Sequence, residues 1–342
     1  MNDAAVLLDL FGVSRRFVRP TALGERLLGL VGQGRPARAV QAVDGVDLQL
    51  RCGEVLGLVG ESGCGKSTLG RLIAGLLAPS AGRVLYRGTD LAAMDRTQRA
   101  AWRPRVQMVF QDPFASLNPR MRVGPAISQA PIFHHLITRG QAKDYVAQML
   151  ETVGMPASAA LRYPHQFSGG QRQRIGIARA LAMRPEFLVC DEPVAALDVS
   201  VQAQVLNLFI DLRERLNLTY LFISHDLGVI EHLCDRVAVM YLGRIVESGP
   251  TELLFRGPRH PYTQALLNEV PRVGAARPTE PPIRGEIPSP LAPPQGCHFH
   301  PRCPHAIAIC RSEAPPLRLL SPMQSVACHL NMADRSFPNL GA

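Results

Sequence analysis

The chain has 342 residues, enough for one large domain or two, and 46% of them are hydrophobic, as in an ordinary globular protein. Its formal charge of +9 favours acidic partners such as nucleotide phosphates, nucleic acid or an anionic membrane surface, although a surface that is simply basic and soluble explains it equally well. No apolar run reaches the ~20 residues of a membrane span and no secretory signal pattern is found, so we predict a cytoplasmic chain with reduced thiols.

A strand, a glycine-rich loop and a helix are predicted within residues 54–79. EVLGLVG (54–60) indicates a buried strand, and STLGRLIAGLLAP indicates a helix that stops near Pro79. Between them, GESGCGKST matches the phosphate-binding pattern G-x-x-x-x-G-K-[ST], in which Lys66 neutralises the β- and γ-phosphates and the Ser67 hydroxyl holds Mg²⁺. The predicted nucleotide-binding residues are Gly60, Glu61, Ser62, Gly63, Cys64, Gly65, Lys66, Ser67 and Thr68.

Residues 112–165 are less apolar and indicate an inserted helical subdomain. After it, FSGGQRQR (167–174) places Ser168 and two glycines ahead of the helix QRIGIARALA, which favours a second anion-binding helix N-terminus; a flexible loop with a capping serine is the alternative.

A second buried strand, in RPEFLVCDEP, ends in two acids. Asp191 is predicted to bind Mg²⁺ and Glu192 to orient or deprotonate the attacking water. Such a pair is more often a solvated turn, but the complete phosphate loop favours the catalytic interpretation. LTYLFISHD (218–226) predicts a third strand and RVAVMYLGRIVESG (236–249) a hairpin, so we expect an α/β fold with a largely parallel sheet.

The end of the chain carries prolines and then cysteines. Seven prolines between Pro278 and Pro294 predict an extended connector. Four cysteines follow with the spacing C-x5-C-x6-C-x17-C: Cys297, Cys303, Cys310 and Cys328. This spacing has neither the tight pairs of zinc sites nor a ferredoxin pattern, so an iron–sulfur cluster, zinc and free thiols are all compatible with it.

Other thiols and histidines have less specific interpretations. The histidines beside the four cysteines are predicted either to hydrogen-bond near the thiols or to be exposed loop residues. They are His298, His300, His305 and His329. Cys64 and Cys190 are predicted to be packing residues.

The order of these motifs resembles the ATP-binding subunits of ABC transporters. A P-loop, MVFQDP with Gln111, SGGQ, a strand ending in Asp-Glu, AALD and ISHD follow one another within about residues 5–255. The resemblance implies a P-loop NTPase fold: an ABC ATPase domain at 1–255 with its helical subdomain at about 112–165, and a C-terminal cysteine-bearing extension at 256–342.

The resemblance also implies roles for single residues. Lys66, Gln111, Glu192 and His225 form the catalytic set, and Mg²⁺ is held by Ser67, Gln111 and Asp191. The residues that clamp the ATP of the partner subunit are Ser168, Gly169, Gly170 and Gln171, and those that line the dimer seam are Ala195, Ala196, Leu197 and Asp198. Phe17 is the candidate for stacking on adenine, but a basic insertion (about residues 18–39) follows it, and a place in the core is the alternative.

Longer stretches resemble the second, F-type ATPase of dipeptide and oligopeptide importers. They are VGESGCGKSTLGRLIAGLL, VFQDPFASLNPRM, HPYTQALL and GEIPSPLAPPQGCHFHPRCP. This implies ATP and Mg²⁺ as cofactors, a [4Fe-4S] cluster on the four tail cysteines, and a place on the cytoplasmic face of the inner membrane. The implied partners are a second ATPase subunit (a paralogue), two permease subunits and an extracytoplasmic peptide-binding protein, with no nucleic acid.

Three alternatives stay open. Importers of nickel or glutathione use near relatives of this ATPase. A soluble ABC-type ATPase acting on nucleic acid would also be basic and could carry metal-bound cysteines, but the single ATPase domain and the importer-like tail disfavour it. A non-hydrolysing regulatory subunit is disfavoured by the intact Lys66, Asp191, Glu192 and His225.

Overall fold

The structure, a computed structural model, describes residues 5–18, 39–112, 117–268, 285–321 and 323–331. Its strands are β1 (Val6–Val18), β2 (Ala39–Arg51), β3 (Val55–Val59), β4 (Ala81–Tyr86), β5 (Thr89–Asp90), β6 (Val106–Val109), β7 (Phe187–Asp191), β8 (Thr219–Ile223), β9 (Arg236–Tyr241), β10 (Arg244–Pro250), β11 (Arg318–Ser321) and β12 (Gln324–Val326). Its α-helices are α1 (Lys66–Ile73), α2 (Arg96–Trp102), α3 (Val123–Phe133), α4 (Ala142–Thr152), α5 (Gly169–Leu181), α6 (Val199–Leu216), α7 (Leu227–Leu233), α8 (Thr251–Arg256), α9 (Pro261–Asn268) and α10 (Ile309–Ser312).

The larger sheet carries the predicted nucleotide site. Its strand order is β11-β12-β10-β9-β3-β8-β7-β6, and the pairs from β9 to β6 are parallel. Every residue of β3, β7 and β8 is buried, as expected of central parallel strands that are covered on both faces. The carboxyl ends of β3, β7 and β8 therefore meet at one edge, where ligands of open α/β sheets bind.

Alternate residues of β3 point into two different cores. Leu56 and Leu58 join a cluster with the smaller antiparallel sheet, whose order is β2-β1-β4-β5, and with α1. Val55 and Val59 join the cluster on the opposite face, which contains α5, α6 and the helical subdomain. The α/β fold with a largely parallel sheet is confirmed.

The helix after the P-loop is shorter than the sequence predicts. It ends at Ile73 rather than near Pro79, because Gly75 adopts a left-handed φ of +65° against the ring of Trp102. A Cβ at Gly75 would lie 2.2 Å from Cη2 of Trp102, so the close approach of the ring requires glycine. The predicted hairpin is present as β9 and β10, with Leu242 and Gly243 both at positive φ in its two-residue turn.

The segment between β6 and β7 is helical, as the sequence predicts. α3 and α4 pack against each other and against α5, and the hydroxyl of Tyr145 donates to the carbonyl of Ala182 at 2.7 Å. Most of the predicted basic insertion, and the connector prolines before residue 285, lie outside the described residues. In the described part of the chain, none of the helices combines the length and apolarity needed to cross a membrane.

Strands from the end of the chain complete the larger sheet. β12 pairs antiparallel with β10, and β11 pairs with β12. Beneath this junction the fully buried carboxylate of Glu247 accepts hydrogen bonds from the backbone N–H groups of Arg259 and His260 and from Nε2 of Gln324. The division at residue 255 stays a prediction, and strands on its two sides share one sheet.

Candidate functional site

The P-loop follows β3 and leads directly into α1. Gly60, Gly63 and Gly65 have φ angles of +151°, +79° and +109°, which side chains disfavour. A Cβ at Gly60 would lie 2.1 Å from the carbonyl oxygen of Met240, and one at Gly65 would lie 2.1 Å from that of Ala42. The glycines at both ends of the loop are therefore required by neighbouring backbone as well as by φ.

Gly65→Ala is expected to abolish detectable ATP binding, because the added methyl group must push the start of α1 away from Ala42. Gly88→Ala is the matched control: Gly88 has a φ of +78° but no atom within 4 Å of an added Cβ. It should lose only about 1 kcal/mol of stability and keep its affinity for ATP. Equilibrium binding of a fluorescent ATP analogue checks both, and normal binding by Gly65→Ala would contradict this account of the loop.

Lys66 is the buried cation of the loop. The residue is 4% exposed, and its ammonium donates to the carbonyl oxygens of Gly60 at 2.7 Å and Glu61 at 3.0 Å. These hydrogen bonds fix Nζ of Lys66 beside the loop that the sequence predicts to bind phosphates. Cys64 is buried, and burial raises the pKa of its thiol, which agrees with the predicted packing role.

Two of the predicted Mg²⁺ ligands are in contact. Oγ of Ser67 donates to Oδ1 of Asp191 at 2.8 Å, although the two residues are 124 positions apart. Burial raises the pKa of Asp191, while the Ser67 hydrogen bond and the charges of Arg71 and Lys66 lower it. A hydroxyl and a carboxylate are oxygen ligands of the kind that Mg²⁺ prefers, so these residues fit the ion.

Glu192 lies at the centre of the predicted catalytic set. Oε2 of Glu192 accepts a hydrogen bond from Nε2 of Gln111 at 2.9 Å and lies 3.3 Å from Nδ1 of His225. Glu192 also has a φ of +46°, uncommon for a residue with a side chain and typical of a strained functional position. Gln111, predicted as a γ-phosphate sensor and Mg²⁺ ligand, thus contacts the predicted base here. Its role toward the ion stays a prediction.

The signature residues form the start of α5. Ser168 and Gln171 make a reciprocal capping box, with Oγ of Ser168 accepting from the N–H of Gln171 and Oε1 of Gln171 accepting from the N–H of Ser168. Ser168, Gly169 and Gln171 are exposed, so this end of the helix is accessible to another molecule. Their role toward a partner's ATP stays a prediction.

The predicted seam residues lie against this helix. A Cβ at Gly170 would lie 2.2 Å from Cγ1 of Val201, and one at Gly169 would lie 3.5 Å from Cδ2 of Leu197. The start of α5 therefore lies against Leu197 of the seam and packs closely on α6, while Ala195, Ala196 and Asp198 are exposed.

Phe17 is not a core residue. It lies near the end of β1, opposite Val40, with 39% of its surface exposed. The guanidinium carbon of Arg15 lies 4.8 Å from the centroid of its ring. The ring is accessible for stacking, and its role toward adenine stays a prediction.

The four tail cysteines are gathered in space, and all are free. The N–H of Cys297 donates to the carbonyl of Cys310 at 2.9 Å. Burial first, and then the proximity of the other three thiols, raise the pKa of Cys328 to about 12. Among the described residues, no three His, Cys, Asp or Glu side chains form a group that could hold a metal ion.

The tail histidines hydrogen-bond to main chain. Nδ1 of His298 lies 3.1 Å from the carbonyl oxygen of Leu242, Nδ1 of His300 lies 3.0 Å from that of Cys297, and Nε2 of His329 lies 2.9 Å from that of Glu313. His300 and His329 thus support the fold of the tail, and His298 joins the tail to the turn between β9 and β10. His305 is exposed.

Two side chains that the sequence analysis missed hold the P-loop from outside. The hydroxyl of Tyr262 accepts from the N–H of Glu61 at 2.9 Å, and the guanidinium of Arg302 makes a two-pronged ion pair with the Glu61 carboxylate at 2.7 and 2.8 Å. The spacing of residues within a motif cannot predict either contact, because Tyr262 and Arg302 lie about 200 residues or more from Glu61. The sequence does show Tyr262 within HPYTQALL and Arg302 within HPRCP, but neither stretch indicates a contact with Glu61.

His260 lies in an aromatic cluster that joins the tail to the P-loop. Phe299 contacts the rings of Tyr241, Tyr262 and His260, with centroid distances of 5.3, 5.3 and 5.9 Å. Nδ1 of His260 accepts from the N–H of Tyr262 at 3.0 Å. Complete burial lowers the pKa of His260 to about 3, so the ring is neutral in the folded protein.

We expect the free energy of unfolding of the wild-type protein to fall as the pH drops below about 6.5. Below that pH, His260 is protonated in the unfolded chain but stays neutral in the folded chain down to about pH 3. The loss should approach about 1.4 kcal/mol per pH unit. In His260→Phe this component should vanish, whereas the exposed control His232→Gln should keep it. Denaturant unfolding at pH 7 and pH 5 measures the difference, and equal pH dependence in wild type and His260→Phe would contradict it.

Comparisons with known proteins agree with this geometry. Residues 43–195 match the ABC transporter family, and residues 246–310 match the C-terminal region of oligopeptide/dipeptide transporters. Oligopeptide transport ATP-binding protein AppF of Bacillus subtilis (strain 168) is 48% identical over 328 residues, covering 95% of this chain and 97% of the relative. Di/tripeptide transport ATP-binding protein DppF of Pseudomonas aeruginosa (strain UCBPP-PA14) is 50% identical over 292 residues, covering 85% of this chain and 90% of the relative.

A solved structure shares the fold. cbiO1 from Clostridium perfringens, part of the ABC transporter complex cbiONQ, superposes with a TM-score of 0.60 at 25% identity, over 74% of this chain and 92% of that chain. Together with the P-loop, the Ser67–Asp191 pair and the contacts of Glu192, these matches establish the family. The chain belongs to the ATP-binding proteins of oligopeptide and dipeptide ABC transporters.

Proposed function

We propose that this chain is the ATP-hydrolysing subunit of an importer that takes up dipeptides or oligopeptides, bound peripherally at the cytoplasmic face of the inner membrane. The observation that carries the hydrolytic part is the convergence of Gln111 and His225 on the Glu192 carboxylate, beside the Ser67–Asp191 pair. The peptide cargo is supported by the C-terminal match and by the names of the relatives.

Each protein group has a distinct task in the proposed cycle. Lys66 and the loop N–H groups bind the phosphates, while Ser67 and Asp191 would hold Mg²⁺, which would supply positive charge to the phosphates. The Glu192 carboxylate accepts a proton from the attacking water, and Gln111 and His225 fix the direction of that carboxylate. We expect positioning and general-base catalysis to account for much of the rate enhancement, because phosphoryl transfer requires little covalent catalysis by the protein.

A second ATPase subunit completes each site in this proposal. Ser168, Gly169 and Gln171 are exposed at a helix N-terminus, where N–H groups and the helix dipole favour an anion. We assign them to the ATP held by the P-loop of the opposite subunit, a paralogue of this chain. Two permeases and an extracytoplasmic peptide-binding protein are the remaining proposed partners.

Reconstitution with the two permeases, the second ATPase and the binding protein tests the cargo. Dipeptides or oligopeptides should raise ATP hydrolysis in proteoliposomes and accumulate inside them. Stimulation by nickel or glutathione alone would replace the peptide assignment with a related cargo. Stimulation of the purified chain by DNA or RNA would support the nucleic-acid alternative instead, which we do not favour.

We also propose that the four tail cysteines hold a [4Fe-4S] cluster with a structural role. Burial and, to a lesser extent, neighbouring tail thiols raise the pKa values of Cys297, Cys303 and Cys328, and the N–H of Cys297 donates to the carbonyl of Cys310. Four thiolates with no neighbouring fifth are a suitable donor set for such a cluster. If bound, the cluster would be held by these four thiolates and would link the segment around Cys297 and Cys310 to Cys328 near β12.

Anaerobic purification followed by assay of iron, acid-labile sulfide and zinc tests the cluster. We expect about four iron and four sulfide per chain, as the formula of the cluster requires, with loss of both in Cys303→Ser and retention in the control Cys52→Ser. Stoichiometric zinc would make the tail a zinc module. Absence of all three would leave four reduced thiols and contradict the proposal.

A further inference from the structure

An acidic side chain lies within the loop that binds phosphates. Glu61 directly follows the first glycine of the P-loop, and its carbonyl oxygen accepts from Nζ of Lys66 at 3.0 Å. A free carboxylate at this place would repel the phosphates of a nucleotide, since charges in a partly buried site are screened far less than in water. The Glu61 side chain is 19% exposed, so water does little to weaken its field.

The charge of Glu61 is balanced from the other end of the chain. Nη1 and Nη2 of Arg302 lie 2.7 and 2.8 Å from the two carboxylate oxygens, in the parallel two-bond geometry that only arginine provides. The Arg302 side chain is 6% exposed, and its hydrogen bonds to Glu61 raise its pKa, so it stays charged. Its Nη1 also lies 3.4 Å from the hydroxyl of Tyr241.

The position of Arg302 is fixed by the tail itself. It lies in a pair of tight turns between Cys297 and Cys303, in which the N–H of Arg302 donates to the carbonyl of Phe299 at 3.0 Å. Phe299 is 2% exposed and packs on Tyr241 and Tyr262. Tyr262 in turn binds the N–H of Glu61. The tail therefore contacts the P-loop through a charge pair, a hydrogen bond and an aromatic cluster.

We propose that Arg302 is a positioning residue for the P-loop: by neutralising and orienting Glu61, it makes the ATP affinity of the ATPase body depend on the folded C-terminal extension. This inference rests on the proposed role of the P-loop in binding ATP. Arg302 itself touches neither nucleotide nor metal in this role. It acts through Glu61 alone, and that restriction is what an experiment can test.

Equilibrium binding of a fluorescent ATP analogue to the full-length chain is the test. Arg302→Ala should weaken binding about tenfold or more, because it leaves the Glu61 carboxylate unpaired beside the phosphates. The affinity of Arg302→Lys for the analogue should lie between those of Arg302→Ala and wild type, since lysine keeps the charge but cannot make the bidentate ion pair. Arg311→Ala, an exposed arginine of α10, is the matched control and should bind like wild type.

The decisive variant is the double substitution Glu61→Gln with Arg302→Ala. If Arg302 acts by neutralising Glu61, removing the carboxylate should restore affinity to within about twofold of wild type, whereas a merely structural role of Arg302 would leave the loss in place. Failure of this rescue, or normal affinity in Arg302→Ala, would overturn the proposal. Failure of the wild-type chain to bind the analogue would instead overturn the proposed function, so the two are distinguishable.

Discussion

Glu192→Gln is expected to lower steady-state ATP hydrolysis at least about 100-fold while leaving ATP binding intact. The substitution keeps the size of the side chain and its place between Gln111 and His225, but it removes the proton acceptor. Mixed with the second ATPase subunit, the variant should then accumulate in a closed, ATP-bound dimer. Phosphate release assays and size-exclusion chromatography with ATP measure the two effects.

The control for this experiment is Glu214→Gln. Glu214 is an exposed carboxylate on α6, away from β7 and its carboxyl end, and its loss should leave hydrolysis unchanged. Undiminished hydrolysis by Glu192→Gln would refute the assignment of Glu192 as the base. If Glu192→Gln lost ATP binding as well as hydrolysis, the substitution would have disturbed the nucleotide site rather than removed only the base.

Glu247→Leu is expected to lower the free energy of unfolding by about 3 kcal/mol or more, because each buried donor that loses its acceptor costs about 1–3 kcal/mol. Three donors, two of them backbone N–H groups, point at this fully buried carboxylate. They come from the loop before α9 and from β12, so the loss should also loosen the tail. The midpoint of urea denaturation measures the change.

Glu252→Gln provides the comparison on the next helix. Glu252 is exposed and, among the described residues, pairs with Arg256 one turn away, so its replacement should change stability by less than about 0.5 kcal/mol. Glu247→Gln keeps one acceptor oxygen, so its loss of stability should lie between those of Glu247→Leu and Glu252→Gln. An unchanged midpoint in Glu247→Leu would mean that water or a shifted backbone satisfies the three donors.

The P-loop was predictable because its geometry is encoded within nine consecutive residues. The glycines, the lysine and the following serine occupy fixed places on one strand–loop–helix unit, and the structure has them there. The carboxylates after β7 were predictable for the related reason that parallel strands end at a common edge. The resemblance to a family predicted that Gln111 and His225 belong to the same site as Glu192.

The contacts of the tail could not be predicted in this way. Arg302 and Glu61 are 241 residues apart, and neither belongs to a periodic pattern that would indicate a shared face. β12 has three residues and no apolar alternation, so its pairing with β10 and β11, rather than its own sequence, makes it a strand. The early end of α1 likewise depends on the ring of Trp102, which reaches Gly75 from another part of the chain.

The pairing of β10 with β12 also sets an order of events during synthesis. β10 leaves the ribosome with one edge unpaired, and the residues that cover it are translated more than seventy positions later. Over that interval a nearly complete ATPase body carries an open strand edge, the feature through which nascent chains pair wrongly with one another. A premature stop in the tail would therefore leave a protein that has every catalytic residue and an exposed site for aggregation.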